Sequence, residues 1–409
     1  MTNTTHTPRA LVVGLGIAGA ATALRLRQVG WEPVVVERAP GRRLGGYFVG
    51  VFGTGQASAS RLGVMEDIPD RSPAGASAFE VTRGGKRWKG MGYNELPGHP
   101  LSALRGDIEA ALFDNLPEGL EIRYSTVPTS IDQSHGHPRV TLRNTTTNTE
   151  TVEGFDLVVG ADGLRSTVRR LVFGPDANHM HSLDYMIAVC LMDEPVQGFD
   201  PSQTVILAEP GRSAWAFSFK DRNPSVMFSW ASSDIDAEFT RTPIESVRRA
   251  FGPESPGPVL RQLQDQFERA GDFLFDSVHQ VRMKQWHHNR VALVGDAAWC
   301  MSLYSGMGAS MGMAGAELLG TMLQRHGNDV DHALHAWQKQ LGPFIEKQQE
   351  AAVEARTFFT PQTRAQQMQR VAMLRLQKAP VVGPFLQKQM QKNPVFAMKS
   401  FDIAVPPAA

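Results

Sequence analysis

This chain has only two cysteines, no net charge and few long hydrophobic runs. Its two cysteines, Cys190 and Cys300, form no CxxC or similar spacing among 409 residues, which excludes a disulfide framework and a structural metal site. The 41 Lys and Arg residues balance 41 Asp and Glu residues, so no general attraction to nucleic acid is expected. The apolar stretch Ala10–Leu24 is too short to span a bilayer. These absences predict a soluble cytoplasmic protein with no nucleic-acid or membrane partner.

Glycine, in contrast, is abundant, with 38 residues, and 42% of the chain is hydrophobic. That hydrophobic fraction excludes global disorder. A chain of this length is too long for one ordinary compact domain, so we expect two or three structural units. No heptad run points to a particular oligomeric state.

The first forty residues carry a pattern of strand, turn, helix and strand. The short apolar run before Gly14 is followed by Gly14-x-Gly16-x-x-Gly19, then by a helical stretch and a second β-branched run that ends at Glu37. In this context the glycines give a tight turn and room for a pyrophosphate at a helix N-terminus. A merely structural glycine turn is the alternative. A carboxylate such as Glu37 accepts ribose hydroxyls and repels a 2′-phosphate, which predicts FAD or NAD and excludes NADP here.

Two later segments repeat the arrangement of a buried strand that ends in Gly and Asp. Phe155–Arg169 contains Asp162-Gly163, and Arg290–Ser310 contains Gly295-Asp296 and then Gly306-x-Gly308. Each aspartate follows a buried strand, where it can meet a ribose or ribityl hydroxyl. The glycines at 306 and 308 allow close approach to a flat ring and begin another helix.

The three motifs together resemble the FAD-dependent group A flavoprotein monooxygenases, the family of p-hydroxybenzoate hydroxylase and of tetracycline-inactivating flavin monooxygenases. They occur in the family's order over most of the chain. The family also has an arginine at the start of a helix between the first two motifs, and Arg105 matches it, although a solvated helix-face arginine is the alternative. The resemblance implies FAD contacts at Gly14, Gly16, Ile17, Ala18, Gly19, Glu37, Arg38, Arg105, Asp162, Gly163, Gly295, Asp296, Gly306, Met307, Gly308, Ala309 and Ser310.

Two residues depart from the family pattern. Trp299 stands where the family often has histidine after Gly-Asp-Ala-Ala, and Leu303 stands where it often has proline. We expect altered packing around the flavin ring and retained binding.

The predicted fold class is α/β. A Rossmann-like FAD-binding domain of the p-hydroxybenzoate hydroxylase fold comprises residues 1–73, 100–180 and 279–340. An antiparallel-sheet substrate domain, residues 74–99 and 181–278, is inserted into it, and residues 341–409 form a C-terminal helical segment.

The inserted region contains short strand patterns at Asp184–Met192, Thr204–Glu209, Ala214–Phe219 and Val226–Ala231, and Phe79–Met91 can supply one more strand. Facing a flavin, their aromatic residues would favour a planar apolar substrate, although each aromatic also suits an ordinary core. The candidate substrate contacts are Met192, Trp215, Phe217, Phe228, Trp230, Leu303 and Tyr304.

The resemblance implies a reaction that uses NAD(P)H and dioxygen. NAD(P)H would dock transiently, since no second strand–GxGxxG–helix unit is present, and would reduce FAD. Oxygen would then add at the flavin C4a, and the hydroperoxide would hydroxylate a planar aromatic or polyketide-like molecule. The sequence has no Gly-x-Ser-x-Gly elbow to support Ser-His-Asp hydrolysis, and its histidines have no partner carboxylates at metal-site intervals. No catalytic acid or base can therefore be named. A flavin dehydrogenase or reductase that does not use oxygen, and a catalytically decayed flavin-binding protein, are the alternatives.

The C-terminal region from Asn328 is basic and is predicted to be helical, with breaks at Pro380, Gly383-Pro384 and Pro394. Between Ala355 and Ser400 there are eight Lys and Arg residues and no acidic residue. Met368, Val371 and Leu374 are spaced to share one helical face. We expect that face to pack across both domains, with a basic amphipathic surface for a membrane or partner as the alternative.

Overall fold

The structure is a computed structural model that describes residues 7–42, 45–92, 100–327 and 329–377, isolated positions between 379 and 389, and residues 394–405. The predicted start of the helical region at Asn328 and the predicted helix breaks at Pro380 and Pro384 lie outside the described residues. The predicted strand region Phe79–Met91 lies inside them.

The strands form two large sheets and two small ones. Their bounds are β1 (Arg9–Val13), β2 (Glu32–Val36), β3 (Phe48–Val51), β4 (Ser77–Val81), β5 (Arg87–Lys89), β6 (Leu101–Leu104), β7 (Glu121–Arg123), β8 (Thr126–Asp132), β9 (Arg139–Asn144), β10 (Glu150–Gly154), β11 (Leu157–Gly160), β12 (Met180–Leu191), β13 (Gln203–Glu209), β14 (Arg212–Phe217), β15 (Ser225–Ala231), β16 (Phe273–Val281), β17 (His287–His288) and β18 (Val291–Leu293).

The helices cover the sheets and connect them. Their bounds are α1 (Ile17–Gln28), α2 (Gly53–Leu62), α3 (Arg105–Asp114), α4 (Thr167–Val172), α5 (Ile235–Glu238), α6 (Pro243–Phe251), α7 (Gly257–Arg269), α8 (Asp296–Trp299), α9 (Gly308–His326), α10 (Val330–Phe359), α11 (Arg364–Gln377) and α12 (Pro394–Ser400). Across the described part of the chain, no helix combines the length and apolarity needed to cross a membrane.

The six-stranded sheet has the order β17-β18-β11-β1-β2-β7, and all its pairs are parallel except β17 with β18. Its central strands are buried runs of valine, leucine and alanine, as expected for a sheet covered on both faces. In a parallel sheet the carboxyl ends of neighbouring strands meet at one edge. That edge carries the starts of all three glycine-containing motifs.

The seven-stranded sheet has the order β16-β12-β15-β14-β13-β4-β5. The predicted strands between 184 and 231 are confirmed, and the Phe79–Met91 region supplies both β4 and β5. The sheet is antiparallel except where β4 pairs in parallel with β13, because β4 enters from the earlier insertion. The predicted antiparallel sheet is thus present with one parallel pair at β4 and β13, and the α/β fold class is confirmed.

The C-terminal helices connect the two large sheets. The first half of α10 packs Trp337 and Leu341 into the core beneath the six-stranded sheet, and its second half packs Ala352 and Phe359 against the seven-stranded sheet. In α11, Leu374 is 1% exposed, but Met368 is 71% exposed. The prediction that Met368 packs inward with Leu374 is wrong, because Arg370 takes the buried side of that helix.

Candidate active site

A cleft opens where β1, β2 and β11 end, and Gly14 and Gly16 of the first motif form its floor. Gly14 has φ +100°, and a Cβ there would lie 2.6 Å from the carbonyl oxygen of Ala161. A Cβ on Gly19 would lie 1.9 Å from the carbonyl oxygen of Gly14, so α1 contacts the turn without space for a side chain. A Cβ on Gly16 would instead make only ordinary van der Waals contacts, at 3.6 Å with Glu109 and 3.7 Å with Arg105. This floor suits a pyrophosphate at the N-terminus of α1.

Glu37 is held at the end of β2 by the backbone. Its Oε2 accepts the N–H of Leu15 and its Oε1 accepts the N–H of Ala39, both at 2.8 Å. The carboxylate therefore lines the cleft in a fixed position, and its remaining lone pairs can accept ribose hydroxyls. The neighbouring Arg38 also lines the cleft and donates to the Thr167 hydroxyl at 3.0 Å.

Asp162 lines the cleft, but its carboxylate is engaged with the protein. It accepts the Ser166 hydroxyl at 2.5 Å and the Thr167 N–H at 2.6 Å, and so it caps α4. Burial raises the pKa of Asp162, and these hydrogen bonds partly oppose the increase. Gly163 lines both this cleft and the adjoining cavity. The geometry gives Asp162 a structural task, and its predicted contact with a nucleotide stays a prediction.

Arg169 joins the second motif to the third. Its guanidinium is fully buried and donates to the carbonyl oxygen of Ala297 at 2.9 Å, to that of Leu164 at 2.7 Å and to Asp176 at 2.5 Å. Sequence reasoning assigned no role to this arginine, because its partner Ala297 lies 128 residues away. The hydrogen bond to Ala297 joins the two motifs, and the ion pair with Asp176 holds the Arg169 guanidinium in place.

Arg105 lies where the cleft meets a second cavity of about 330 Å³, and Asp296 lines that cavity. The Arg105 guanidinium pairs with Glu109 at 2.7 Å, and Arg105 lines both spaces. The surrounding protein raises the pKa of Asp296, and the charge of Arg105 partly opposes this. The Arg105 side chain is 37% exposed, and its predicted contact with FAD stays a prediction. Gly295, with φ +67°, allows the third motif to contact Ala18 of α1.

The second cavity lies between the seven-stranded sheet and the start of α9, and its walls are mainly apolar. Phe217 stacks on Phe48 with ring centroids 4.3 Å apart. Its apolar wall residues come from the sheet, from β3, from the loop before α9 and from the end of α10. They are Phe48, Val49, Ile187, Val189, Phe217, Met227, Leu303 and Phe359.

Three of the predicted substrate contacts lie on the wrong face of the sheet. Met192, Phe228 and Trp230 pack in a core cluster with Phe251 and Phe267 beneath α6 and α7. Successive side chains of a strand alternate between faces, so Met227, and not Phe228, reaches the cavity. The prediction for Met192, Phe228 and Trp230 is therefore wrong.

Sequence reasoning also missed the aliphatic contacts Ile187 and Val189. Both residues share a face of β12 two positions apart, a signal that the sequence contains, but the choice of face required knowledge of the neighbouring sheet. Trp215 shares the cavity side with Phe217 but lies behind it, against Phe359. Tyr304 is 2% exposed and its hydroxyl lies 2.8 Å from the Ser229 hydroxyl.

The loop before α9 borders the cavity. Leu303, Gly306, Gly308 and Ala309 line it, as do Ile17 and Ala18 from α1. The side chains of Met307 and Ser310 are fully buried instead. The Ser310 hydroxyl accepts the Phe52 N–H at 2.9 Å, which ties α9 to α2.

Trp299 belongs to a cluster of three tryptophans and not to the cavity wall. Its ring centroid lies 4.6 Å from that of Trp286 and 5.6 Å from that of Trp337. A Cβ on Gly315 would lie 2.6 Å from the Trp299 ring. The large residue is therefore accommodated by a glycine in α9, and Leu303 occupies the cavity side of the loop.

Comparison with known proteins agrees with this geometry. The sequence profile of the FAD binding domain family matches residues 7–348. A flavin-dependent monooxygenase from an unknown prokaryotic organism is 29% identical over 359 residues, which cover 84% of this chain and 88% of that protein. The chain belongs to the FAD-dependent group A flavoprotein monooxygenases.

Solved structures share the fold of this monooxygenase. Tetracycline destructase Tet(51) superposes with a TM-score of 0.74 at 24% identity, covering 98% of this chain and 99% of its own. HpxO from Klebsiella pneumoniae, complexed with FAD and uric acid, gives a TM-score of 0.72 at 17% identity, with 99% of this chain and 98% of its own covered. The glycine floor and the fixed Glu37 carboxylate fit the FAD of this family.

Proposed function

We propose that this FAD-dependent monooxygenase uses NAD(P)H and dioxygen to hydroxylate a planar, uncharged aromatic or polyketide-like molecule. The observation that carries the substrate class is the apolar cavity beside the Gly306–Ala309 turn. Its wall contains the stacked pair Phe48 and Phe217, which matches the face of a planar ring.

Charge distribution supports an uncharged substrate. Among the described residues that line the cavity, the charged side chains are Arg105, which also lines the nucleotide cleft, and Asp296 at the start of α8. The sheet side offers Ile187, Val189 and Met227. Burying a charged group against such a wall without a partner costs several kcal/mol.

We assign the cofactor contacts to residues that line the two spaces. Gly14, Gly16 and Glu37 would hold the adenosine and pyrophosphate part, and Asp296, Gly306 and Gly308 the ribityl chain and ring. FAD, when bound, accepts electrons from the nicotinamide and activates dioxygen. The N-terminus of α9 directs backbone N–H groups and a positive dipole toward the cavity, which favours negative charge there. The apolar sheet face excludes water from the same space.

Tyr304 is unsuited to act as a base. Burial raises its pKa, and the Ser229 hydroxyl is its hydrogen-bond partner. The proton balance of the reaction therefore has to be met by other groups or by water.

Substrate-dependent oxygen uptake tests the proposed function. A panel of planar phenols and polyketides would be incubated with the holoenzyme and with NADH or NADPH, and NAD(P)H oxidation and peroxide would be followed together. We expect at least one compound to stimulate NAD(P)H oxidation and to gain label from ¹⁸O₂. Reduction by NAD(P)H with no label in any product would favour a dehydrogenase. Tight FAD binding with no reduction by either nicotinamide would favour a flavin-binding protein.

Filling the cavity should impair substrate binding selectively. We expect Val189→Phe to raise KM at least 10-fold, because Val189 is 4% exposed and lines the cavity wall. The matched control is Val152→Phe at a position that is 56% exposed. Steady-state kinetics with the substrate found above would measure both. An unchanged KM in Val189→Phe, with a normal flavin spectrum, would contradict the assigned cavity.

A further inference from the structure

The last described segment, residues 394–405, lies against α2 and α10 and is called the C-terminal strap here. A Cβ on Gly53 would lie 2.7 Å from the carbonyl oxygen of Ser400, so the strap lies directly on the start of α2. The Gln340 side chain donates to the carbonyl oxygens of Ile403 and Val405 at 2.7 and 2.8 Å. Backbone contacts on both sides therefore hold the strap in place.

An ion-pair network adds a second attachment. Arg61 of α2 donates to both carboxylate oxygens of Asp402, at 2.5 and 3.1 Å. The same guanidinium donates to Glu317 of α9 at 2.9 Å, and Glu317 is 1% exposed. The strap, α2 and α9 are thus joined at one point.

Lys399 extends from the strap to the loop beside the cavity. Its ammonium donates to the carbonyl oxygen of Ser305 at 2.5 Å and lies 4.9 Å from the ring centroid of Phe52. The residue is 9% exposed, and burial lowers its pKa to about 8. Leu303 and Gly306 of the same loop line the cavity, whereas Lys399 does not, so the ammonium supports the loop from behind the cavity wall.

The loop contains a conformation that needs such support. Ser302 has φ +71° and ψ 163°, a region that residues other than glycine rarely adopt. Within the loop, the Ser305 hydroxyl donates to the Ser302 carbonyl oxygen at 2.9 Å and accepts the Met307 N–H at 3.0 Å. Lys399 supplies a charge-assisted hydrogen bond from outside, a stronger kind than a neutral one.

We propose that Lys399 is a positioning residue that fixes the Ser302–Gly306 loop against FAD, so that the C-terminal strap is part of the cofactor site. This inference rests on FAD binding, and it does not depend on the substrate class proposed above.

Because Lys399 is buried, the effect of its charge on folding stability can be measured separately from its effect on FAD binding. A lysine whose pKa is lowered by burial costs folding free energy wherever it is charged, so the cost is fully present below about pH 8 and disappears above the ordinary lysine pKa. Lys399→Met keeps the length and removes the charge. The substitution removes this cost but also removes the hydrogen bond to Ser305, so we expect little net change in Tm at pH 7 together with about 10-fold weaker FAD binding.

The reduction potential provides a readout that a purely structural role would not change. Reduced FAD carries more negative charge than oxidised FAD. In Lys399→Met we therefore expect the Kd of reduced FAD to rise about tenfold more than the Kd of oxidised FAD. For a two-electron couple, this factor corresponds to a potential lowered by about 30 mV.

The experiment compares Lys399→Met, Lys399→Arg and the control Lys388→Met, whose lysine is exposed in the same C-terminal region. FAD titration of the apoprotein, photoreduction against a reference dye and thermal unfolding would be measured for each. Lys399→Arg should restore most of the affinity and potential, and Lys388→Met should match the unmodified protein. Unchanged affinity and potential in Lys399→Met would overturn the proposal, as would a lower Tm with no rescue by arginine. Failure of the unmodified chain to bind FAD would instead contradict the proposed function.

Discussion

Gly19→Ala is expected to abolish stable FAD binding, with an increase in Kd of at least 100-fold. A methyl group there would lie 1.9 Å from the carbonyl oxygen of Gly14, and the atom it meets is backbone, which cannot rotate away. The start of α1 would have to move from the end of β1, and the N–H groups at that helix start would move with it. Titration of the apoprotein with FAD, followed by flavin fluorescence, would measure the effect.

Two further variants separate cofactor binding from folding. Gly271→Ala adds a methyl group where nothing lies within 4 Å, outside the nucleotide cleft, and should bind FAD normally. Gly16→Ala also meets nothing closer than 3.6 Å in the protein, so its apoprotein should keep its Tm and still bind FAD poorly. Normal FAD affinity in Gly16→Ala would show that no pyrophosphate approaches this turn.

Arg370→Ala is expected to lower the free energy of unfolding by about 3–5 kcal/mol, the usual cost of breaking a buried ion pair. Arg370 binds both oxygens of Glu80 at 2.6 and 2.7 Å, and the two side chains are 4% and 3% exposed. The guanidinium also lies 4.9 Å from the ring centroid of Phe358 and 5.6 Å from that of Trp215. Its removal would leave the Glu80 carboxylate buried without that partner.

Urea unfolding would measure this change, with Arg248→Ala as the matched control. Arg248 pairs with Glu268, and these side chains are 46% and 45% exposed, so less than about 1 kcal/mol should be lost. The double variant Glu80→Leu with Arg370→Met should recover most of the lost stability, because apolar residues of similar size often replace a buried pair without cost. Equal losses in Arg370→Ala and Arg248→Ala would contradict the burial argument.

The nucleotide cleft was largely predictable because its determinants are local. Gly14, Gly16 and Glu37 lie within 24 residues of one another, and the order of strand, turn and helix fixes their relation. The second and third motifs reach the same edge because parallel strands align their carboxyl ends. The strands of the second large sheet were predictable for a similar reason, since each is a short run between turn residues.

The failures involve contacts between distant segments. The face of β15 that meets the cavity depends on what covers each side of the sheet, so aromatic content alone selected Phe228 where Met227 belongs. Arg370 and Glu80 are 290 residues apart, and no local pattern pairs them. The sequence predicts that Trp299 alters the packing around the flavin ring, but its neighbours Trp286 and Trp337 come from other parts of the chain.

The long helix α10 also has a mechanical consequence. Its 30 residues extend about 45 Å, with one half packed beneath the six-stranded sheet and the other against the seven-stranded sheet. Because α10 packs against both sheets, a rotation of one sheet relative to the other would have to bend this helix. Pro343 lies inside the helix and lacks the N–H that would bond to the preceding turn. Pro343 is therefore the position at which α10 has one fewer backbone hydrogen bond to resist bending.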